Sequence, residues 1–316
     1  MSFFLRCVVL ALASFGLAAL AAAVAVALTW RWPAGTAAQR ADQLWRMRLL
    51  PLAVAAATSV FAVTALVRFE SRQTDEIIGW TLLGSATLGA AFLAAFVARL
   101  LQMHLETRRL LKTWLANARR IALPELAGLG VPVYRIETHF PIVAVVGMVR
   151  PTLVIDASVL DACNPAELTA ILAHERGHLR RRDNMRRALF SATPDLLARA
   201  RTGPHLCDAW REATEEAADD AAAEQGEDVR VHLAQALVRV ARLARMAAPT
   251  PWPASTLYRG DAVERRVRRL LNPAGAVASN DRSWVVAAMV AAALVLALAL
   301  QQQIHGMMEV AVNGLW

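Results

Sequence analysis

Two histidines four residues apart, with an acid beside the first, make His174-Glu175-Arg176-Gly177-His178 the stretch of this chain best suited to chemistry. On an α-helix residues i and i+4 share a face, so both imidazoles reach a single tetrahedral Zn²⁺ at about 2.0–2.1 Å from each nitrogen. Glu175 then flanks the open position of the metal, where a carboxylate takes a proton from water. The implied chemistry is metal-assisted hydrolysis. No H-x-x-G-x-x-H pattern follows the second histidine, so the third ligand is expected to be a glutamate farther along. One acid-rich stretch offers Glu212, Glu215, Glu216 and Glu224.

The motif must sit on a well-formed helix, and the residues before it provide a start. Asn164, Pro165 and Glu167 stand as N-cap, first-turn proline and N3 acid, which predicts a helix from 165 to about 182 with Leu168, Ile171, Leu172 and Leu179 on its buried side. Upstream, β-branched runs over 131–136, 142–146 and 152–155, broken at Gly147 and Pro151, predict a small antiparallel meander. Downstream, Pro194, Gly203 and Pro204 interrupt the helical pattern. Helices are then expected over about 208–225, closed by Gly226, over 229–246, and over an arginine-rich 263–271, with Pro249, Pro251 and Pro253 in a linker.

With these residues in place, a resemblance becomes specific. His174 to Asn184 resembles the H-E-x-x-H-x-x-R-x-D-N stretch of the beta-lactam-sensor-type membrane metallopeptidases, and Glu215-Glu216-Ala217-Ala218-Asp219 is similar to their E-x-x-[AC]-D element. More distantly, the same element occurs in the heat-shock and prenyl-protein membrane endopeptidases. The resemblance implies a Glu-zincin site with Zn²⁺ as cofactor, His174, His178 and Glu215 as ligands, Glu175 as base, and Asp219 orienting a ligand histidine. Glu215 and Asp219 are i and i+4, so one helix face suits both tasks. Glu216 stays open as the alternative ligand. The resemblance also implies that the strand beside the motif helix, Ile142, Val143, Ala144, Val145 and Val146, is an edge that pairs with a substrate backbone; as a plain core strand it needs no function. Antibiotic-sensing members carry a penicillin-binding domain after the last span, whereas here only residues 301–316 follow it. The single lysine, Lys112, has Arg109 three residues before it and so forms no S-x-x-K motif, and no beta-lactam site is expected.

The rest of the chain belongs to lipid. Of 316 residues 57% are hydrophobic and 19% charged, an excess of apolar residues over a soluble protein. Charge-free runs at 7–30, 49–67, 77–98 and 284–300 predict four transmembrane helices, the first retained rather than cleaved as a signal peptide. The expected fold is therefore a mainly α membrane protein with an α+β zincin domain inserted between spans three and four. Residues 1–98 hold three spans, 99–130 a juxtamembrane helix and linker, 131–271 the zincin domain, and 272–316 a linker, the fourth span and a short outer tail.

A net charge of +8 does not point to nucleic acid, because the arginines cluster beside the spans, at Arg31, Arg40, Arg46 and Arg48 and again from Arg99 to Arg120. That bias predicts a multi-pass protein of the cell membrane, its zincin domain cytoplasmic and both termini outside. The spans hold no acid or lysine, against an ion-coupled transporter. Cys7, Cys163 and Cys207 form no C-x-x-C pair and no disulfide framework. The expected activity is zinc-dependent endoproteolysis at the cytoplasmic face in signal transduction, on a protein or peptide such as a transcriptional repressor or the chain itself. The alternative is a non-catalytic zincin-like scaffold that binds a cytoplasmic partner.

Overall fold

The computed structural model describes residues 3–29, 33–69, 79–122, 130–138, 140–194, 203–246 and 260–272. The expected fourth span lies outside them. Among the described residues three helices are long and apolar enough to cross a membrane: α1 (Phe3–Thr29), α2 (Ala37–Phe69) and α3 (Trp80–Leu115). α1 and α3 touch backbone to backbone, since a Cβ on Gly89 would stand 1.9 Å from the Leu12 carbonyl oxygen. Only glycine permits that approach.

Two of these helices outrun the apolar runs that announce them. α2 starts at Ala37, where Thr36 and Gln39 close a reciprocal cap, Gln39 N–H donating to Thr36 Oγ1 and Thr36 N–H to Gln39 Oε1. Its first turns pack against later helices of the chain rather than forming a loop. Ala41 and Leu44 are buried with Phe190, Leu206 and Trp210, Asp42 pairs with Arg181 and Arg186, and Arg40 pairs with Glu216. α3 continues past the expected span and ends at Leu115, so the expected juxtamembrane helix is its second half.

The sheet holds β1 (Arg119–Arg120), β2 (Val133–Ile136), β3 (Val143–Val146) and β4 (Thr152–Asp156) in the order β1-β2-β4-β3. The sheet therefore takes in Arg119 and Arg120, which precede residue 131. The arrangement is not a meander: β2 pairs with β4 in parallel, and β3 pairs with β4 antiparallel from the far side. Burial explains the order. Every residue of β4 is buried and needs a neighbour on each side, while every residue of β3 is half-buried and suits an edge. Asp156 holds the crossover, its Oδ2 accepting from the Thr138 N–H at 2.7 Å.

α4 (Ala157–Ala162) leads into α5 (Pro165–Arg181), the motif helix. Its capping box is complete, with Asn164 Oδ1 accepting from Glu167 N–H at 2.8 Å and Glu167 Oε2 from Asn164 N–H at 3.0 Å. Glu167 also accepts from Arg239 at 2.9 Å, so the start of α5 is pinned to α8 (Glu227–Met246). Arg182, at φ 53° and ψ 42°, ends α5 and starts α6 (Asp183–Ala192). This single left-handed residue turns the chain sharply enough to bring Asp183 back onto α5. α7 (Gly203–Ala223) crosses α5 closely, a Cβ on Gly177 meeting Ala218 Cα at 3.1 Å. α9 (Gly260–Leu271) packs on α7 and α8.

Candidate metal centre

Four elements converge on one point. α5 presents His174 and His178 on a shared face, their Nε2 atoms 3.1 Å apart. α7 brings Glu215, with Oε2 at 3.6 Å from His174 Nε2 and Oε1 at 3.8 Å from His178 Nε2. The Gly177–Ala218 contact sets that distance, because it lets α7 lie directly on the motif turn. Donors bonded at 2.0–2.1 Å to one tetrahedral ion stand about 3.3 Å apart, close to all three separations.

The outer nitrogens are anchored. His178 Nδ1 lies 2.8 Å from Asp183 Oδ2, and His174 Nδ1 lies 2.9 Å from Asp219 Oδ1, though off the N–H direction. An ionised carboxylate only accepts, so each Nδ1 carries the proton and each Nε2 turns its lone pair inward. Two inward lone pairs repel unless a cation or a proton lies between them. Burial alone would lower His174, but the Asp219 and Glu215 carboxylates outweigh it and raise the imidazole to about 10, so the site favours a positive charge at this point. A metal ion would displace a proton there. The residues fit a zinc ion by donor type, separation and tautomer.

Arg266 of α9 completes the centre. Its Nε and Nη2 donate to the two oxygens of Asp219 at 2.8 and 2.7 Å, and its Nη1 lies 3.3 Å from Glu215 Oε2. Burial would raise Asp219, yet Arg266 and His174 hold it down to about 2. Glu215, whose burial acts in the same direction, is kept well below the carboxylate range by His174, His178 and Arg266. Both carboxylates therefore stay ionised. Glu216, the alternative ligand, points elsewhere, paired with Arg40 of α2 and 3.7 Å from Arg269.

Glu175 is buried and faces the cavity in front of the histidines. Burial raises its affinity for a proton, opposed by His178 and His174, and the Val145 main-chain N–H supports its charge. That cavity is lined by Val143, Ala144 and Val145 of β3 and by Leu233, Leu237 and Val240 of α8. β3 is an edge among the described residues, and its main-chain groups alternate in direction. Ile142 faces inward, its carbonyl accepting from Asp156 N–H and its side chain buried. Val145 faces out, where its carbonyl accepts from Asn184 Nδ2 at 2.8 Å, and by alternation Val143 faces out while Ala144 and Val146 face β4.

Asp183 and Arg266 carry tasks that sequence reasoning left unassigned. Asp183 lies within the D-N pair of the motif stretch, and Arg266 is one of several arginines on a helix whose neighbours the sequence does not reveal. Replacing Arg266 by Met leaves Asp219 and Glu215 without their cation, and metal affinity should fall about 10–100-fold, with part regained in Arg266→Lys. Competition with a chromogenic chelator measures it; affinity unchanged from wild type would make Arg266 purely a packing residue.

No curated protein matches the chain. Residues 135–270, the segment that holds the edge strand, both histidines, Glu175, Glu215, Asp219 and Arg266, match the family described as BlaR1 peptidase M56, and over that segment the chain is similar to its members.

Proposed function

We propose that the protein is a zinc-dependent metalloendopeptidase making limited, regulatory cuts at the cytoplasmic face of the cell membrane. The observation that carries this reading is the convergence of two anchored imidazoles and the Glu215 carboxylate beside a buried glutamate that lines the same cavity. A nitrogen, nitrogen and oxygen donor set suits Zn²⁺. When bound, zinc supplies a Lewis acid that polarises the scissile carbonyl and acidifies water.

The chain's residues do the rest. Glu175 accepts a proton from the attacking water and returns it to the leaving amine, and a proton affinity raised by burial suits it to hold that proton between the two transfers. Asp219 and Asp183 keep the two histidines in one tautomer and orientation. The outward groups of Val143 offer a substrate strand its pairing site, since those of Val145 are engaged by Glu175 and Asn184. A substrate must then lie between β3 and the apolar wall of α8.

The substrate class is a protein or peptide reachable from the membrane surface, such as a recruited transcriptional repressor or this chain itself. Mass spectrometry of cleaved proteins in cells with the intact chain and with Glu175→Ala tests it. Fragments that require Glu175 are expected; an identical fragment set would favour the scaffold. Orientation rests on the arginine bias. Cysteines placed singly near Gln39 and at Gln73 should label from opposite sides, Gln73 from outside. Labelling of both from outside would put the peptidase domain outside as well, because the start of α2 packs on α7.

A further inference from the structure

The cavity holds one charge that hydrolysis does not use. Arg187 lines it together with His178, Asn184 and Val145. α6 carries Asp183, Asn184 and Arg187 at spacing i, i+1 and i+4, so these three share a face. The first holds His178 and the second holds the edge strand at Val145 and Gly147. The third holds nothing: its Nε is buried and unpartnered, and among the described residues no carboxylate pairs with its guanidinium.

The neighbouring carboxylates are otherwise engaged. Asp183 gives its Oδ2 to His178 and faces Arg181 at 3.6 Å with its Oδ1, Asp219 is held by His174 and Arg266, and Glu215 by Arg266 and the histidines. Glu175 faces the two histidines and the Val145 N–H. A part-buried guanidinium without a counter-charge is costly, and the cost is relieved when a ligand brings an anion. Arginine's planar fork matches a carboxylate with two parallel hydrogen bonds. Arg187 also stands one turn along α6 from Asn184, the residue that fixes the edge strand β3, and lines the same cavity as Val143 and Val145.

We propose that Arg187 is a specificity-determining residue that receives a carboxylate of the substrate next to the scissile bond, so that the enzyme selects acidic peptides. The inference rests on the peptidase reading above. The carboxylate comes from an Asp or Glu side chain or, where the cut falls close to the end of a substrate, from its free C-terminus. In either case it binds the same guanidinium, while the apolar wall of α8 seats a neighbouring side chain.

The test uses the full-length protein in detergent with added zinc and a synthetic peptide set with blocked ends, in which each Asp or Glu is matched by Asn or Gln. A parallel set has free C-termini. Wild type should cleave acidic members about 10–100-fold better than their amide partners, mainly through KM. Arg187→Met should bring that ratio to about one, Arg187→Lys should keep part of it, and Arg187→Glu should favour Lys or Arg at the same position. Preference among blocked peptides identifies a side chain; preference confined to free C-termini identifies the terminal carboxylate. A ratio unchanged in Arg187→Met overturns the proposal. Fluorescence anisotropy of the same peptides on Glu175→Gln and on Glu175→Gln with Arg187→Met separates the two readings. If wild type cleaves none of the peptides, the peptidase reading fails, while acidic preference lost with Arg187, or indifferent to it, still decides the role of this residue.

Discussion

Glu175→Gln is expected to keep its zinc and lose about 10²–10⁴-fold in turnover on any peptide the wild type cleaves. Glutamine has the volume of glutamate and still offers an oxygen to the Val145 N–H, so the buried site keeps its packing. What it lacks is the capacity to take up a proton and release it again. Because that transfer belongs to the transition state, the loss should fall on kcat with KM nearly unchanged. Zinc content by atomic emission and kcat on one defined peptide are the two measurements. Wild-type turnover in Glu175→Gln would assign the base elsewhere, and loss of both zinc and turnover would make Glu175 a ligand.

The second large effect separates neighbours. Glu215→Ala should empty the site, as His174→Ala and His178→Ala should, each lowering zinc affinity beyond the roughly 10–100-fold that removal of an outer partner costs. Glu216→Ala should retain zinc, because its carboxylate is held by Arg40 and Arg269 away from the histidines. One residue along a helix is a rotation of about 100°, so the two carboxylates cannot exchange places without turning α7. Zinc kept by Glu215→Ala and lost by Glu216→Ala would move the third ligand by one position.

What the sequence reveals here follows from range. The Asn164, Pro165 and Glu167 start of α5 and the shared face of His174 and His178 depend on neighbours within one helical turn, and both are seen in the structure. The order of the strands is different, because whether β3 or β4 neighbours β2 is decided by which strand is buried on both sides. Arg266 is likewise legible only as one of several arginines until α9 is laid on α7. The first turns of α2 did carry a signal. Ala37, Ala41 and Leu44 repeat at i, i+4 and i+7, a buried stripe masked by the arginines that also mark topology.

That Arg266 comes from α9 has a consequence for the protein's synthesis. A ribosome delivers residues in order at roughly 5–20 per second, so a nascent chain displays His174 and His178, then Glu215 and Asp219, for several seconds before their cation exists. Until then Asp219 and Glu215 have no Arg266 to offset the cost of burial, and water remains their better environment. Until α9 has emerged and folded back, the centre is therefore expected to hold metal about 10–100-fold more weakly, as in Arg266→Met. On the proposed peptidase reading, full metal affinity, and with it full hydrolytic competence, is expected only at the end of the domain's translation.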